Sequence, residues 1–151
     1  MQQALRYLDY PPVWLFAALG CVWAEARLLP GLIAIPAVQT LGQGLFWLGL
    51  AVLAGAALSF LRARTTIVPH QMPQKLITGG LYRISRNPIY LGDLLILVGL
   101  SLKWGALSGL LLAPAFVAIL TARFIQPEEA RLRAAFGAEA ETFFARTRRW
   151  V

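Results

Sequence analysis

The chain has 151 residues, of which 58% are hydrophobic and only 14% charged; its mean hydropathy is +0.63 and its net charge +7. A soluble domain carries about a quarter charged residues, so composition points to a single integral membrane domain over residues 1–151. Cys21 and His70 are the only cysteine and the only histidine, which excludes an internal disulfide and a zinc site built from those residues.

From the N-terminus, Met1 to Tyr10 holds Arg6 and Asp9, and the apolar run from Pro12 into Trp23 lacks a small-residue cleavage site. That run is expected to be retained as the start of a first spanning helix, about 13–29, with Glu25 and Arg27 near its end. A second span, 41–61, carries no charge; at ~1.5 Å per residue it covers ~31 Å, the hydrocarbon core of a bilayer. Gly42, Gly44, Gly49 and Gly55 within it serve either internal packing or contacts with another copy. A third, shorter span, 88–102, contains Asp93. A fourth, 104–122, is uncharged but holds Pro114, where a kink is expected. Only a tight turn near Lys103-Trp104-Gly105 joins spans three and four, so they form an antiparallel hairpin.

Four crossings put the N-terminus, the 62–87 loop and the tail from 123 on one side. That side collects Arg6, Arg62, Arg64, Lys75, Arg83, Arg86, Arg123, Arg131, Arg133, Arg146, Arg148 and Arg149, against Arg27 and Lys103 on the other. The asymmetry predicts cytoplasmic termini. It makes anionic membrane lipids the partner of the basic excess; without a DNA- or RNA-binding motif, nucleic acid is not one. The loop, with Pro69, Pro73, Gly79 and Gly80, is expected to be ordered by turns. The tail reads as an amphipathic helix broken at Gly137, lying on the membrane or closing over the ends of the spans, with Trp150 as an interfacial anchor. The fold class is therefore all-α integral membrane: about four transmembrane helices, a helix hairpin and an amphipathic cytoplasmic tail.

Two polar clusters fall at the same depth, and polar groups near a bilayer are costly enough to suggest a shared site. In Arg86-Asn87-Pro88-Ile89-Tyr90-Leu91-Gly92, Asn87 suits an N-cap and Pro88 a first helical position. Arg86, Tyr90 and the Thr78-Gly79-Gly80-Leu81-Tyr82 turn are left for a ligand, since glycines admit close backbone approach and a helix start favours an anion. Glu128 and Glu129 suit a helix's first turn and can pair with Arg131 and Arg133, or one of them can face inward to a cationic group. Asp93 either reaches the interface, pairing with Arg83 or Arg86, or forms a polar wall. His70 is the one side chain that ordinarily titrates near neutrality.

Three blocks in order, Arg64-Thr65-Thr66-Ile67-Val68-Pro69-His70, then Leu76 through Gly92, then Pro127-Glu128-Glu129-Ala130-Arg131-Leu132 with Phe136-Gly137, resemble the isoprenylcysteine carboxyl methyltransferase family, related to the membrane phospholipid methyltransferases. The resemblance spans about residues 62–151. It implies an S-adenosyl-L-methionine-dependent membrane methyltransferase acting on a lipophilic acceptor, isoprenylcysteine-carboxylate-like or lipid-like; the small size of the chain points to a bacterial inner membrane. Carried onto this chain, it implies cofactor contacts from His70, Leu76, Gly80, Tyr82, Asn87, Pro88, Tyr90, Glu128 and Glu129. Many members have histidine at the position of Asn87, which leaves Asn87 a hydrogen-bonding or capping role and not a proton-accepting one. Within that frame Glu129 would take the cofactor ammonium, Arg86 or the Gly79-Gly80 backbone its carboxylate, and Tyr82 and Tyr90 the adenine or sulfonium. Arg86, Glu129 and Arg123 are the candidate catalytic residues. Arg86 or Arg123 would orient a carboxylate acceptor, and His70 would be the base for an amine or thiol. Two other readings stand beside this one: an NADPH-dependent membrane reductase of related helical fold, against which counts the missing dinucleotide fingerprint, and a non-catalytic membrane subunit.

Overall fold

A computed structural model describes residues 10–30, 35–64 and 74–151; Pro69, His70 and Pro73 lie outside them. Among the described residues the chain is all-helical: α1 (Pro11–Leu28), α2 (Pro36–Ala63), a 3-10 turn (Gly80–Arg83), α3 (Pro88–Trp104), α4 (Ser108–Leu120), a π-helical turn (Thr121–Ile125), α5 (Gln126–Phe136) and α6 (Ala138–Arg146). Pro11, Pro36 and Pro88 each open a helix, where the missing N–H costs nothing and the fixed φ is already helical.

Two helices, Pro36–Ala63 and the continuous Ser108–Phe136, have the length and hydropathy to cross a membrane. The other two expected spans are weaker: α1 carries Glu25 and Arg27 in 18 residues, and α3 carries Asp93 and Lys103 in 17. The hairpin boundary also shifts. Trp104 ends α3, Gly105 takes a left-handed conformation (φ 69°) as its cap, and α4 begins only at Ser108, then continues through Pro114. Glu25 of α1 makes that second start possible. Its carboxylate accepts the backbone N–H groups of Leu107 (2.9 Å) and Ser108 (2.6 Å), supplying from another helix the cap that α4's own sequence lacks.

Close approach of α2 and α3 forms the spine. The buried positions of α2 are Gly42, Gly49 and Ala56, spaced by seven, and Gly92 and Gly99 on α3 repeat that interval. A Cβ on Gly49 would lie 2.8 Å from the Gly92 carbonyl oxygen, and one on Gly99 2.9 Å from that of Gly42. Small residues at heptad spacing let two backbones meet along a gently crossed pair. Gly42 and Gly49 are thus internal packing residues, whereas a Cβ on Gly44 would meet nothing.

Large apolar side chains on the outer faces, including Phe16, Trp47, Leu48 and Leu111, stay exposed, a surface suited to a hydrocarbon surround. One buried cluster, with Leu15, Val22, Tyr90, Leu97, Phe116 and Leu120, joins α1, α3 and α4. A second, Tyr82 with Ala140, Phe143 and Phe144, seats α6 on the 76–83 segment. Gly137, at φ 50°, separates α5 from α6 so that α6 can turn back.

Candidate functional site

The start of α3 and the start of α5 meet at one end of the bundle. The π-helical turn sets their register: the N–H of Gln126 reaches back five residues to Thr121 O. A π-turn inserts one residue into the helical ladder and rotates the downstream residues by about 100° relative to an unbroken α-helix. Pro127 comes directly after it. The two glutamates therefore leave this turn on different faces from those an uninterrupted span would give them.

Glu129 is buried and bound by two guanidiniums. Arg149 Nε and one of its terminal nitrogens donate to the two carboxylate oxygens at 2.9 and 2.7 Å, and Arg86 donates to Oε1 at 2.9 Å. Such a bidentate fork fixes the plane of the carboxylate. Arg86 is held twice more, by donation from its Nε to Thr147 O at 2.8 Å and by stacking 4.7 Å over the ring of Phe144. Burial pulls the Arg86 guanidinium below its ordinary value while Glu129 opposes the shift, and the hydrogen bond to Glu129 raises Arg149. The pairing expected between Glu129 and Arg133 is not made; Arg133 pairs with Glu141 at 2.7 Å. Nor does Arg86 serve Asp93, since its carboxylate partner is Glu129.

The chain's end runs along the Arg86 block. The Arg86 backbone N–H donates to Arg148 O (2.9 Å) and Asn87 Nδ2 to Arg149 O (3.0 Å). Asn87 occupies the N-cap position of α3, and its carbonyl accepts the Leu91 N–H, but its side chain makes no capping bond. The side-chain amide instead donates to the 147–150 segment. Trp150, expected as a membrane anchor, packs against the main core and donates from its indole to Thr121 Oγ1 at 3.3 Å. The signal for this segment was weak in sequence: a basic run of Arg146, Arg148 and Arg149 reads as topology, and nothing local marks Arg149 as reaching back twenty residues to Glu129.

Glu128 has different company. It faces Tyr90 and Arg131, its charge is felt by Tyr82, and Asp93 adds a second acid beside Tyr90. Both tyrosines are buried. Burial, with the Glu128 charge adding to it, raises the Tyr82 phenol well above its ordinary value. Pro88 is fully buried at the first position of α3. Leu76 packs on the Tyr82 cluster, and Gly80, at φ 60°, opens the 3-10 turn that carries Tyr82. Arg123, within the π-turn itself, stacks 5.5 Å over Trp14 of α1. His70 lies outside the described residues.

No curated protein and no solved structure matches this chain. The pattern of the phospholipid methyltransferase family matches residues 38–139, from the start of α2 through both glutamates to the first residues of α6. That stretch contains the glycine-packed helix pair, the Arg86 block and the acidic pair, and it exceeds half of the chain. The chain belongs to the phospholipid methyltransferase family, the membrane methyltransferases that include the isoprenylcysteine carboxyl methyltransferase-like enzymes.

Proposed function

We propose that this protein is an S-adenosyl-L-methionine-dependent methyltransferase acting on a lipophilic acceptor, isoprenylcysteine-carboxylate-like or lipid-like, that approaches from the bilayer at its cytoplasmic face. The observation that carries the reading is the pairing, at one end of the bundle, of an acidic aromatic cluster (Glu128, Tyr82, Tyr90) with a fixed arginine (Arg86). When bound, the cofactor supplies an electrophilic methyl group on a sulfonium, together with an ammonium and a carboxylate to be recognised. The donor set fits those groups. Glu128, not engaged by the Arg86–Arg149 pair, suits the ammonium. Tyr82 and Tyr90 offer aromatic faces to a cation. The contacts of Arg86 use its Nε and one terminal nitrogen, leaving its second terminal nitrogen to donate to a carboxylate.

The protein's own work in such a reaction is alignment and exclusion of water. Arg86 and Arg123 are the cations able to orient an anionic acceptor. A carboxylate acceptor needs no proton removed. His70 is the candidate base for an amine.

Two measurements test the proposal. Purified protein titrated with S-adenosylhomocysteine is expected to bind it and not NADPH; binding of NADPH alone would replace this reading with the reductase. Transfer of tritiated methyl to the lipid-soluble fraction of host membranes is expected, with identification of the product fixing the acceptor. Cofactor binding without any labelled product would favour a non-catalytic subunit.

A further inference from the structure

The segment from Thr147 to Trp150 lies outside the stretch that defines the family match, yet it supplies two of the contacts that hold Arg86. Three successive carbonyls, of Thr147, Arg148 and Arg149, accept from Arg86 Nε, the Arg86 backbone N–H and Asn87 Nδ2. Beside them the Arg149 side chain takes both oxygens of Glu129. Glu129 Oε1 in turn receives Arg86. The chain of contacts therefore runs Arg149 to Glu129 to Arg86. The Arg86 side chain is largely buried, at 16% exposure, and Glu129 more so at 4%, while Arg149 is 37% exposed. The most exposed member stands at one end of this chain of contacts, with the two inner ones beyond it.

We propose that Arg149 is a positioning residue for the cofactor site: it sets the carboxylate plane of Glu129 and, through it, the orientation of the Arg86 guanidinium. This rests on the cofactor reading above. A long arginine side chain left with one anchor samples many rotamers. Held by Glu129, Thr147 O and the Phe144 ring, Arg86 presents its second terminal nitrogen in a single direction, so ligand binding does not have to order it. Arg149 needs no contact with the ligand for this.

The test is S-adenosylhomocysteine affinity in purified wild type, Arg149→Ala, Arg149→Lys, Glu129→Gln and the Glu129→Gln/Arg149→Ala double variant, with amide hydrogen exchange at Arg86. Arg149→Ala is expected to weaken binding about tenfold or more, as loss of a residue that orients a ligand-binding group does elsewhere. Arg149→Lys keeps the charge without the fork and is expected to recover part of the loss. Because the effect passes through Glu129, the double variant is expected to bind no more weakly than Glu129→Gln alone. Additive losses, or Arg149→Ala with wild-type affinity, would overturn the proposal. The Arg86 amide, bonded to Arg148 O, is expected to exchange faster in Arg149→Ala; unchanged protection also overturns it. That readout needs no ligand, so a wild type that fails to bind the cofactor product removes the cofactor reading while the clamp is still tested. If Arg149→Ala does not fold, Arg149→Gln serves in every arm.

Discussion

A carboxylate carrying two guanidiniums and a carboxylate beside two phenols respond differently to loss of charge. Replacing Glu129 with Gln leaves Arg86 buried without its counter-ion, and breaking a buried pair in this way costs about 3 kcal/mol or more. The expected result is a lowered unfolding midpoint in detergent. Glu128→Gln removes no such pair, so its midpoint is expected to stay close to wild type. It does remove the charged half of a hydrogen bond to a ligand ammonium, an interaction of about 1.5–3 kcal/mol, so S-adenosylhomocysteine affinity is expected to fall about 10- to 100-fold. A Glu128→Gln variant with full affinity would move the ammonium site elsewhere. The sequence made both glutamates candidates and favoured Glu129 as the ammonium ligand. It could not separate them, because the π-turn that rotates one toward Arg86 and the other toward Tyr90 has no local signature, and because Arg149 arrives from twenty residues downstream. Asn87 shows the same limit: its position at the helix start was readable, but the target of its side chain was not.

At the scale of elements, the helix positions were legible from apolar runs bounded by proline and charge, and the break at Gly137 from glycine itself. The partner of each helix was less so. Glycines at 42, 44, 49 and 55 look alike in a row, and only the matching interval of Gly92 and Gly99 tells which face is inward. The glycine faces therefore carry a prediction. A Cβ on Gly99 would approach the α2 backbone closer than real atoms do, so Gly99→Val must push α2 and α3 apart. A loss of about 3 kcal/mol, the upper end for overpacking, is expected in thermal unfolding. Gly44→Ala is the control: its added methyl meets nothing, and the gain in helix propensity predicts an unchanged or slightly raised midpoint. Equal effects of the two would mean that α2 and α3 do not pack through this stripe. Glu25 was equally invisible as a cap, since the N–H groups it receives lie on the far side of the hairpin turn, more than eighty residues on.

For the whole molecule, the question is how many helices cross the bilayer. α1 and α3 measure only ~27 and ~26 Å at 1.5 Å per residue, slightly short of a ~30 Å core. Local thinning or tilt of the neighbours accommodates such a mismatch at modest cost. Packing argues for their inclusion: α3 lies against α2 from Gly42 to Gly49 and beyond, so a membrane around α2 surrounds α3 as well, while α1 shares the buried cluster of α3 and α4. Four crossings and two crossings make opposite forecasts for one pair of positions. With four, the 74–87 segment and α6 lie on the same side, together with the basic residues; with only α2 and α4 crossing, they lie on opposite sides. Single cysteines at Gln74, Ala138 and Leu107, all exposed, in a Cys21→Ala background, can be read with a membrane-impermeant maleimide on intact cells and on inverted vesicles. The expected outcome is labelling of positions 74 and 138 from the cytoplasmic face only and of 107 from the outer face only. That pattern also puts the Arg86–Glu129 cluster beside anionic headgroups, as the positive-inside rule requires. Opposite labelling of 74 and 138 would leave α1 and α3 outside the bilayer, and with them the case for an acceptor that reaches Tyr90 through lipid.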